Sequence, residues 1–155
     1  GTDANPDYNQ QKFRVPTPGS WAADYQYMNV PEMYLIKAEG LARQGGKDAE
    51  ARTALETLVK SRNPAYSAAN LNGQGLIDEI LLQRRIELWG EGFGLWDIKR
   101  LNEGLSRPQG AGNHGAPNYN PGVYTTSPKD PRFLMRIPQK ELDNNTNMTP
   151  DDQNP

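Results

Sequence analysis

The residues best able to do chemistry lie in one short stretch, RRIELWGEGFGLWDIKR, which runs from Arg84 to Arg100. Within it, Glu87 and Glu91 are four residues apart, so on a helix their Cβ atoms would be about 5 to 6 Å from each other. Retaining glycosidases place two carboxylates at roughly that separation, which makes a hydrolase one interpretation of the stretch. That interpretation requires the pair to open onto a cleft.

Glycines in the same stretch raise a second possibility, a phosphate-binding loop. Gly90, Gly92 and Gly94 alternate with other residues, but GEGFGLW lacks the third glycine of the G-x-G-x-x-G pattern. The pattern also needs a strand before it, whereas these glycines follow a helical periodicity. Glycine equally allows a helix to end and the chain to reverse closely, and that role needs no ligand.

The third interpretation is a structural, ion-paired helix corner. Successive helix residues are about 100° apart, so a helix that begins near residue 76 places Arg84, Glu87 and Glu91 on its apolar face. Charges on a buried face need partners, and carboxylates interleaved with arginines are more often structural than catalytic. We therefore predict an ion network with both tryptophans packed around it, formed by Arg84, Arg85, Glu87, Glu91, Asp97 and Arg100. Arg84→Ala is expected to cost about 3 to 5 kcal/mol, because the two glutamates would be left buried and unpaired.

Two further helices are predicted before this stretch. MNVPEMYLIKAEGLARQGG has apolar residues at helical spacing, with Asn29 as its N-terminal cap and two glycines at its end. KDAEARTALETLVKSRNP predicts a second helix, with Asp48 as its cap and Pro64 beyond its end. Small residues where the helices would cross, and the Gly-Gly turn, favour an antiparallel hairpin of the tetratricopeptide type over residues 29–64.

The length of 155 residues predicts a single, mainly α-helical unit, because such a chain can bury one core but is too short for two ordinary domains. Its parts are an extended arm over 1–20, the hairpin over 29–64, the helix corner over 75–105, a long loop over 106–131 and an extended tail over 132–155. In the tail, RFLMRIPQKEL alternates apolar and basic residues, which suits a short strand or an extended segment.

The long loop is rich in Gly, Pro, Asn and Tyr, and long loops in compact domains are usually functional or disordered. Its aromatic and amide side chains are of the types that stack on sugar rings and hydrogen-bond to hydroxyl groups. The candidate ligand-binding residues are Asn113, His114, Asn118, Tyr119 and Tyr124. The alternative is that they are solvated turn residues, with the tyrosines fixing the loop to the helices.

Composition excludes several classes of function. The net charge is -2 with both signs interspersed, so neither a nucleic-acid-binding surface nor a polybasic membrane patch is indicated. The chain has no cysteine, which excludes disulfides, thiolate metal ligands and a cysteine nucleophile. Its one histidine has no second ligand at metal-binding spacing, so we predict neither a metal site nor a cofactor. No apolar run is long enough to span a bilayer.

Three segments together resemble the C-terminal part of the SusD/RagB family. They are PEMYLIKAEGLARQGG, ILLQRRIELWGEGFGLWDIKRL and RIPQKELDNNTNM, within residues 24–155. The most specific piece is R-R-x-E-L-x-x-E-G followed by W-D-[LI]-K-R, with I-P-x-x-E-[LIVM] downstream. Family members commonly have Glu, Arg and Pro at the positions of Gln83, Gly94 and Thr146, so one charge pair of the usual corner is expected to be missing.

The resemblance implies a non-enzymatic outer-membrane lipoprotein of Bacteroidetes that binds glycans or other nutrients at the cell surface for polysaccharide utilization. It also implies a SusC-like TonB-dependent transporter as the partner, over whose mouth the binding protein sits as a lid. Membrane attachment would come only from a lipid anchor that this sequence does not contain. Family members are typically much longer, so the chain is expected to be a fragment or a reduced form.

The alternative to glycan binding is a protein-interaction scaffold that contacts the transporter without touching sugar itself. Burial separates the two hypotheses. Exposure of Tyr119 and Tyr124 together would favour sugar, whereas an exposed apolar patch along the hairpin would favour a protein partner.

Overall fold

The computed structural model describes residues 12, 13, 19, 22, 24, 28–107 and 125–154. Within these residues the chain forms five α-helices: α1 (Val30–Ala42), α2 (Asp48–Val59), α3 (Gly73–Glu87), α4 (Phe93–Leu101) and α5 (Gln139–Asn144). Single turns of 3₁₀-helix, Pro131–Phe133 and Pro150–Asp152, lie before and after α5. No strand occurs in this described part, where an isolated bridge pairs Ser106 with Thr125. The predicted mainly α fold is confirmed.

The chain divides into two compact units, residues 1–77 and 78–155, and the division falls within α3. The sequence predicted one unit over residues 1–155, so the structure differs from that expectation. Chain length bounds the number of cores that a protein can build, but it does not fix how contacts are distributed along the chain.

The first unit contains the helical hairpin, in which α1 and α2 pack directly on each other. Alanines on both helices let the two backbones approach closely. Gly45 and Gly46 reverse the chain with φ of +72° and +66°, a conformation that side chains disfavour. The buried apolar residues of the two helices are Leu35, Ala38, Ala42, Ala51, Ala54, Leu55, Leu58 and Val59.

The helix starts differ from those predicted. Asn29 precedes α1, but its side chain makes no capping hydrogen bond, and its carbonyl oxygen accepts from the Glu32 N–H at 3.0 Å. Asp48, predicted to cap α2, lies within the first turn of that helix, where the helix dipole favours its charge. Its carboxylate accepts a hydrogen bond at 2.9 Å from the N–H of Gly73, the first residue of α3. Asp48 therefore stabilises the start of a different helix, 25 residues away.

The connection between α2 and α3 is held by side chains of α2. Glu56 accepts hydrogen bonds from Lys60 Nζ at 2.5 Å and from the Ala68 N–H at 2.8 Å. The Lys60 ammonium, and after it the Ala68 N–H, lower the pKa of the Glu56 carboxyl below its ordinary value. Arg52 donates to the Leu71 carbonyl oxygen at 2.8 Å. These contacts fix the connecting segment against α2 before α3 begins.

In the second unit, residues just after α4 pair with residues beyond position 124. The Thr126 N–H donates to the Leu105 carbonyl oxygen at 2.9 Å, and the Thr126 hydroxyl accepts from the Leu105 N–H at 2.8 Å. Gly104 lies against this return, because a Cβ there would clash with the Thr126 carbonyl oxygen. A glycine is therefore required where the two segments meet.

The segment predicted to be an extended tail contains α5, so that prediction is wrong over Gln139–Asn144. The Pro138 carbonyl oxygen accepts from the Glu141 N–H at 2.9 Å to begin the helix, and Leu142 is buried on it. The Gln153 side-chain amide donates to the Ile137 carbonyl oxygen at 3.0 Å and accepts from the Ile137 N–H at 2.8 Å. The alternating pattern ends at Pro138, and the helix-forming residues after it follow a different period.

Candidate functional site

The charged stretch lies where α3 ends and α4 begins. Gly90 and Gly92 follow α3 with φ of +78° and +87°, values that glycine adopts readily and other residues rarely, and Gly92 immediately precedes α4. These glycines end one helix and begin the next. A phosphate-binding loop of the G-x-G-x-x-G type follows a strand, so the helical context does not fit that interpretation.

Arg84 and Asp97 form the central ion pair of this corner. Arg84 Nε lies 2.9 Å and 3.1 Å from the two Asp97 carboxylate oxygens, and the Arg84 side chain is only 8% exposed. Arg100 Nε also donates to Asp97, at 2.8 Å, from a side chain that is 41% exposed. The Arg84 guanidinium lies over the Phe93 ring, 5.2 Å from its centroid, which is a favourable cation–π geometry. One carboxylate thus joins α3 to α4 through a buried arginine and holds an exposed arginine on α4.

The structure differs from the predicted ion network in which of the charged residues are buried. Arg84 is buried on α3, as helical spacing predicted, and its partner Asp97 lies thirteen residues further along the chain, on α4. Glu87 and Glu91, predicted to lie on the buried face, are half-buried. Because α3 ends at Glu87, the angular spacing of a helix no longer applies at Glu91. Arg85, the next residue of α3, is exposed.

Both tryptophans of the corner are exposed, so the prediction that they pack around the ion network is wrong. The exposed fraction is 55% for Trp89 and 61% for Trp96. Trp89 follows the end of α3, directly after the buried Leu88. Trp96 has Lys99 Nζ 5.4 Å from its ring centroid. Two large aromatic surfaces therefore face solvent on one corner.

A cleft of about 610 Å³ opens beside the ion pair. The described residues that line it come from α3, the glycine turn, α4 and the segment after α4, and these belong to the second unit. Its apolar lining residues are Leu81, Leu82, Leu88, Trp89, Phe93, Ile98, Leu101 and Leu105. Its charged lining residues are Asp78, Arg84, Arg85, Asp97, Glu103 and Arg107.

The cleft does not include the carboxylate pair on which the hydrolase interpretation rested. Glu87 and Glu91 are not among its lining residues, although that interpretation required them to open onto a cleft. Asp97 does line the cleft, but its oxygens accept hydrogen bonds from Arg84 and Arg100 and hold two helices together. The lining of this cleft therefore does not support the hydrolase interpretation.

The candidate ligand-binding residues of the long loop lie outside the described part of the chain: Asn113, His114, Asn118, Tyr119 and Tyr124. Their role stays a prediction. The structure does describe the residues on either side, and it joins Ser106 to Thr125 through the isolated bridge.

A second ion pair, which the sequence analysis did not identify, lies near the end of the predicted loop. Asp130 accepts hydrogen bonds from Arg132 Nε at 2.7 Å, from Nη2 at 2.6 Å and from the Arg132 N–H at 2.9 Å. The guanidinium first, and then the N–H, lower the pKa of Asp130 from 3.8 to about 2. The same contacts raise the pKa of Arg132. The sequence did contain a signal for this pair: Asp130 and Arg132 are separated by a proline, which favours a turn that brings the two side chains together.

The described residues hold neither a metal-binding cluster nor a membrane-spanning helix. No cluster of three or more histidine, aspartate or glutamate side chains in this part of the chain could hold a metal ion. No helix among these residues is sufficiently long and apolar to cross a membrane.

Sequence reasoning also missed most of the cleft. Asp78, Leu82, Arg85 and Trp89 recur at intervals of three and four residues, on the face of α3 and its continuation that is opposite to the buried one. That mixed apolar and charged periodicity was the signal that could have found them. Glu103 comes from irregular chain after α4, and no local pattern predicts where such a segment returns.

Nearly the whole chain is similar to known proteins. A family model described as the SusD family matches residues 3–155. Among solved structures, a SusD-like carbohydrate binding protein from Bacteroides vulgatus shares 33% sequence identity with the chain, at a TM-score of 0.60. The match covers 78% of this chain and 29% of that protein, so the chain spans less than a third of its length. No curated protein matches the sequence.

Proposed function

Because the chain belongs to the SusD family, we propose that it is a non-catalytic glycan- or nutrient-binding component of an outer-membrane uptake system. The family match over residues 3–155 is the observation that carries this proposal. The proposal is also supported by 33% sequence identity to a SusD-like carbohydrate binding protein. The match covers 29% of the length of that protein. The ligand class comes from that neighbour and from the residue types of the loop and the cleft.

The described residues favour binding over catalysis. The carboxylates spaced like a glycosidase pair, Glu87 and Glu91, lie outside the lining of the cleft. Asp97, which does line it, is engaged by two arginines at 2.8 to 3.1 Å. A carboxylate held in this way positions two helices rather than a reacting group.

The remaining parts of the proposal follow the family. Loop residues Asn113, His114, Asn118, Tyr119 and Tyr124 are proposed ligand contacts. The proposed location is the cell surface of the outer membrane, by way of a lipid anchor, and the proposed partner is a SusC-like TonB-dependent transporter. The chain then acts as a fragment or a reduced form of a longer binding protein.

Affinity gel electrophoresis of the 155-residue chain tests the function. Gels that contain starch, xylan or mannan should retard the chain relative to a gel without polysaccharide, and isothermal titration with the matching oligosaccharide should show saturable binding. Tyr119→Ala combined with Tyr124→Ala should weaken that binding. Tyr66→Ala, which removes the same side chain from the connection before α3, is the control. Unchanged migration in every gel, with a folded protein by circular dichroism, would overturn glycan binding by this chain.

A second candidate function is supported by the exposed face of α1. Met28, Val30, Met33 and Ile36 are all exposed large apolar residues, and the last three are spaced three residues apart along α1. Exposed apolar residues that recur along one helix are typical of a protein-interaction surface. It favours the scaffold hypothesis, in which the hairpin contacts the transporter.

Ile36→Glu tests this second candidate directly. It should weaken binding to a purified SusC-like transporter of the same uptake system, measured by biolayer interferometry, because a charge at an apolar contact must be desolvated. Lys37→Glu changes a neighbouring exposed residue and serves as the control. Equal binding by wild type and Ile36→Glu would remove α1 from the interface.

A further inference from the structure

The start of α3 contains a dipeptide whose two residues can react with each other. Asn72–Gly73 is the one place in the sequence where glycine follows asparagine. Glycine has no Cβ to shield its backbone nitrogen, so in this dipeptide the nitrogen can reach the carbonyl carbon of the asparagine side chain. Both residues are exposed, so water and hydroxide ion have access to the peptide bond between them. Residue types and exposure together make Asn72 a candidate for spontaneous deamidation.

The backbone conformation explains why glycine is the second residue of this dipeptide. Gly73 has a φ of +49°, in the left-handed region, and open space lies where a Cβ would be. A residue with a side chain would be strained in this conformation even though there is room for it. The reactive dipeptide is therefore a consequence of the turn that begins α3.

Two hydrogen bonds hold the atoms that the reaction must move. The Gly73 N–H donates to Asp48 Oδ2 at 2.9 Å. The nitrogen must lose this proton before it can attack, and a carboxylate beside it disfavours the negative charge that would form. The Asn72 carbonyl oxygen accepts from the Leu76 N–H at 3.2 Å, which restrains the rotation that would turn the Gly73 nitrogen toward the side chain. The folded structure thus opposes the reaction at both ends of one peptide group.

We propose that Asn72 is a site of spontaneous modification in this chain, and that Asp48 is the positioning residue that slows the reaction. The Gly73 nitrogen gives its proton to hydroxide ion and bonds to Asn72 Cγ. The bond from Cγ to Nδ2 then breaks, and the amide nitrogen takes a proton from water and leaves as ammonia. Water opens the resulting cyclic imide at either of its carbonyl carbons, which leaves aspartate or isoaspartate in place of Asn72. The net reaction consumes water, releases ammonia and transfers no electrons.

The isoaspartate product changes the main chain at this position. Its backbone runs through the former side chain and is longer by a methylene group, so the bonds to Asp48 and Leu76 are not both kept. The same two bonds that oppose the reaction therefore also hold the start of α3 in place, and modification loosens it.

The test compares the rate of the reaction with and without the fold. Wild type and variants are incubated at mildly alkaline pH, in buffer and in concentrated urea. Conversion of Asn72 is followed by liquid chromatography and mass spectrometry of its proteolytic peptide. In buffer, Asp48→Ala should react about tenfold or more faster than wild type, as expected for loss of a hydrogen bond to a charged group. Asp48→Asn keeps an acceptor without the charge, so its rate should lie between the two. In urea, where these bonds are absent, the three proteins should react at the same rate.

Glu50 provides the matched control, because it is another acid in the first turn of α2 but pairs with Lys47 at 3.2 Å. Glu50→Ala should react within about twofold of wild type in buffer. Asn72→Gln should remove the product from this peptide, because the longer side chain forms its cyclic imide far more slowly. If Asp48→Ala fails to fold by circular dichroism, the comparison of Asp48→Asn with wild type decides the role of Asp48.

The two parts of the proposal fail on different results. Absence of aspartate and isoaspartate at position 72 in urea would overturn the modification site. Equal rates for wild type in buffer and in urea would overturn protection by the fold. If the Asp48 variants react no faster than wild type in buffer, Asp48 does not slow the reaction. A slower reaction in those variants would show that the carboxylate instead promotes the attack.

Discussion

Replacing Arg84 with alanine measures what the buried ion pair contributes to stability. The substitution removes charge-assisted hydrogen bonding to Asp97, which is worth about 1.5 to 3 kcal/mol. It also removes the contact with the Phe93 ring, which is worth about 0.5 to 2 kcal/mol. Breaking a fully buried pair costs about 3 to 5 kcal/mol, because the remaining charge is left buried and unpaired. Here Asp97 keeps Arg100 at 2.8 Å, so the cost is smaller. We expect Arg84→Ala to lower the free energy of unfolding by about 2 to 4 kcal/mol.

The assay is urea denaturation followed by tryptophan emission, since Trp89 and Trp96 both lie at this corner. Arg100→Ala is the matched control, because it removes the other arginine from the same carboxylate. Its side chain is 41% exposed, against 8% for Arg84. An exposed ion pair contributes about 0.2 to 1 kcal/mol, so Arg100→Ala should shift the midpoint only slightly.

A double-mutant cycle isolates the pair from the lost packing of the arginine. Arg84→Ala, Asp97→Asn and the combination should give a coupling energy of about 1 to 3 kcal/mol, as for residues in one hydrogen-bonded network. A coupling energy near zero, with Arg84→Ala no more costly than Arg100→Ala, would refute the reasoning. It would show that water screens the Arg84–Asp97 pair as effectively as it screens a surface pair.

The remaining predictions concern the backbone and the second ion pair. Gly40 lies within α1 with open space where a Cβ would be, so Gly40→Ala should raise the free energy of unfolding by about 0.5 to 1 kcal/mol in a urea titration. Gly45→Ala should lower the free energy of unfolding in the same titration, because Gly45 has a φ of +72° that alanine disfavours. Gly104→Ala should lower Tm by circular dichroism, because its Cβ would clash with the Thr126 carbonyl oxygen; an unchanged Tm would contradict the close approach. The folded-state pKa of Asp130 is lowered from 3.8 to about 2, so its stabilising contribution is present above 3.8 and lost as pH falls to about 2. Asp130→Asn should therefore lose less free energy of unfolding than wild type as the pH falls from 3.8 to about 2. If stability falls equally with pH in both proteins, the Asp130–Arg132 pair is not the cause of that loss.

Local rules predicted most of the helical structure. Apolar residues at helical spacing predicted the hairpin of α1 and α2, and they placed Arg84 on the buried face of α3. Such predictions depend only on residues within a turn or two of each other, and backbone geometry fixes their relative directions. The same rule failed for Glu91, because it follows the end of α3 at Glu87 and the spacing of a helix no longer applies there.

The predicted extended tail failed for a related reason. The alternating pattern before Pro138 predicted extended chain beyond the proline as well. The residues after Pro138 favour a helix, and α5 begins directly after it. The Gln153 amide also pairs with the Ile137 backbone, which is a contact between residues 16 positions apart. Neither the helix boundary nor this pairing could be read from the alternation alone.

By itself the sequence determined the mainly helical class, the absence of cysteine chemistry, the nearly balanced charge and the likeness to one family. Only the tertiary structure decided which distant groups meet. It brought Asp48 to the start of α3 and Asp97 to Arg84, and it left Trp89 facing a cleft of about 610 Å³. The physical reason is that helix formation depends on neighbours along the chain. A contact between distant residues depends instead on every turn between them, and on which arrangement buries the most apolar surface while pairing the charges.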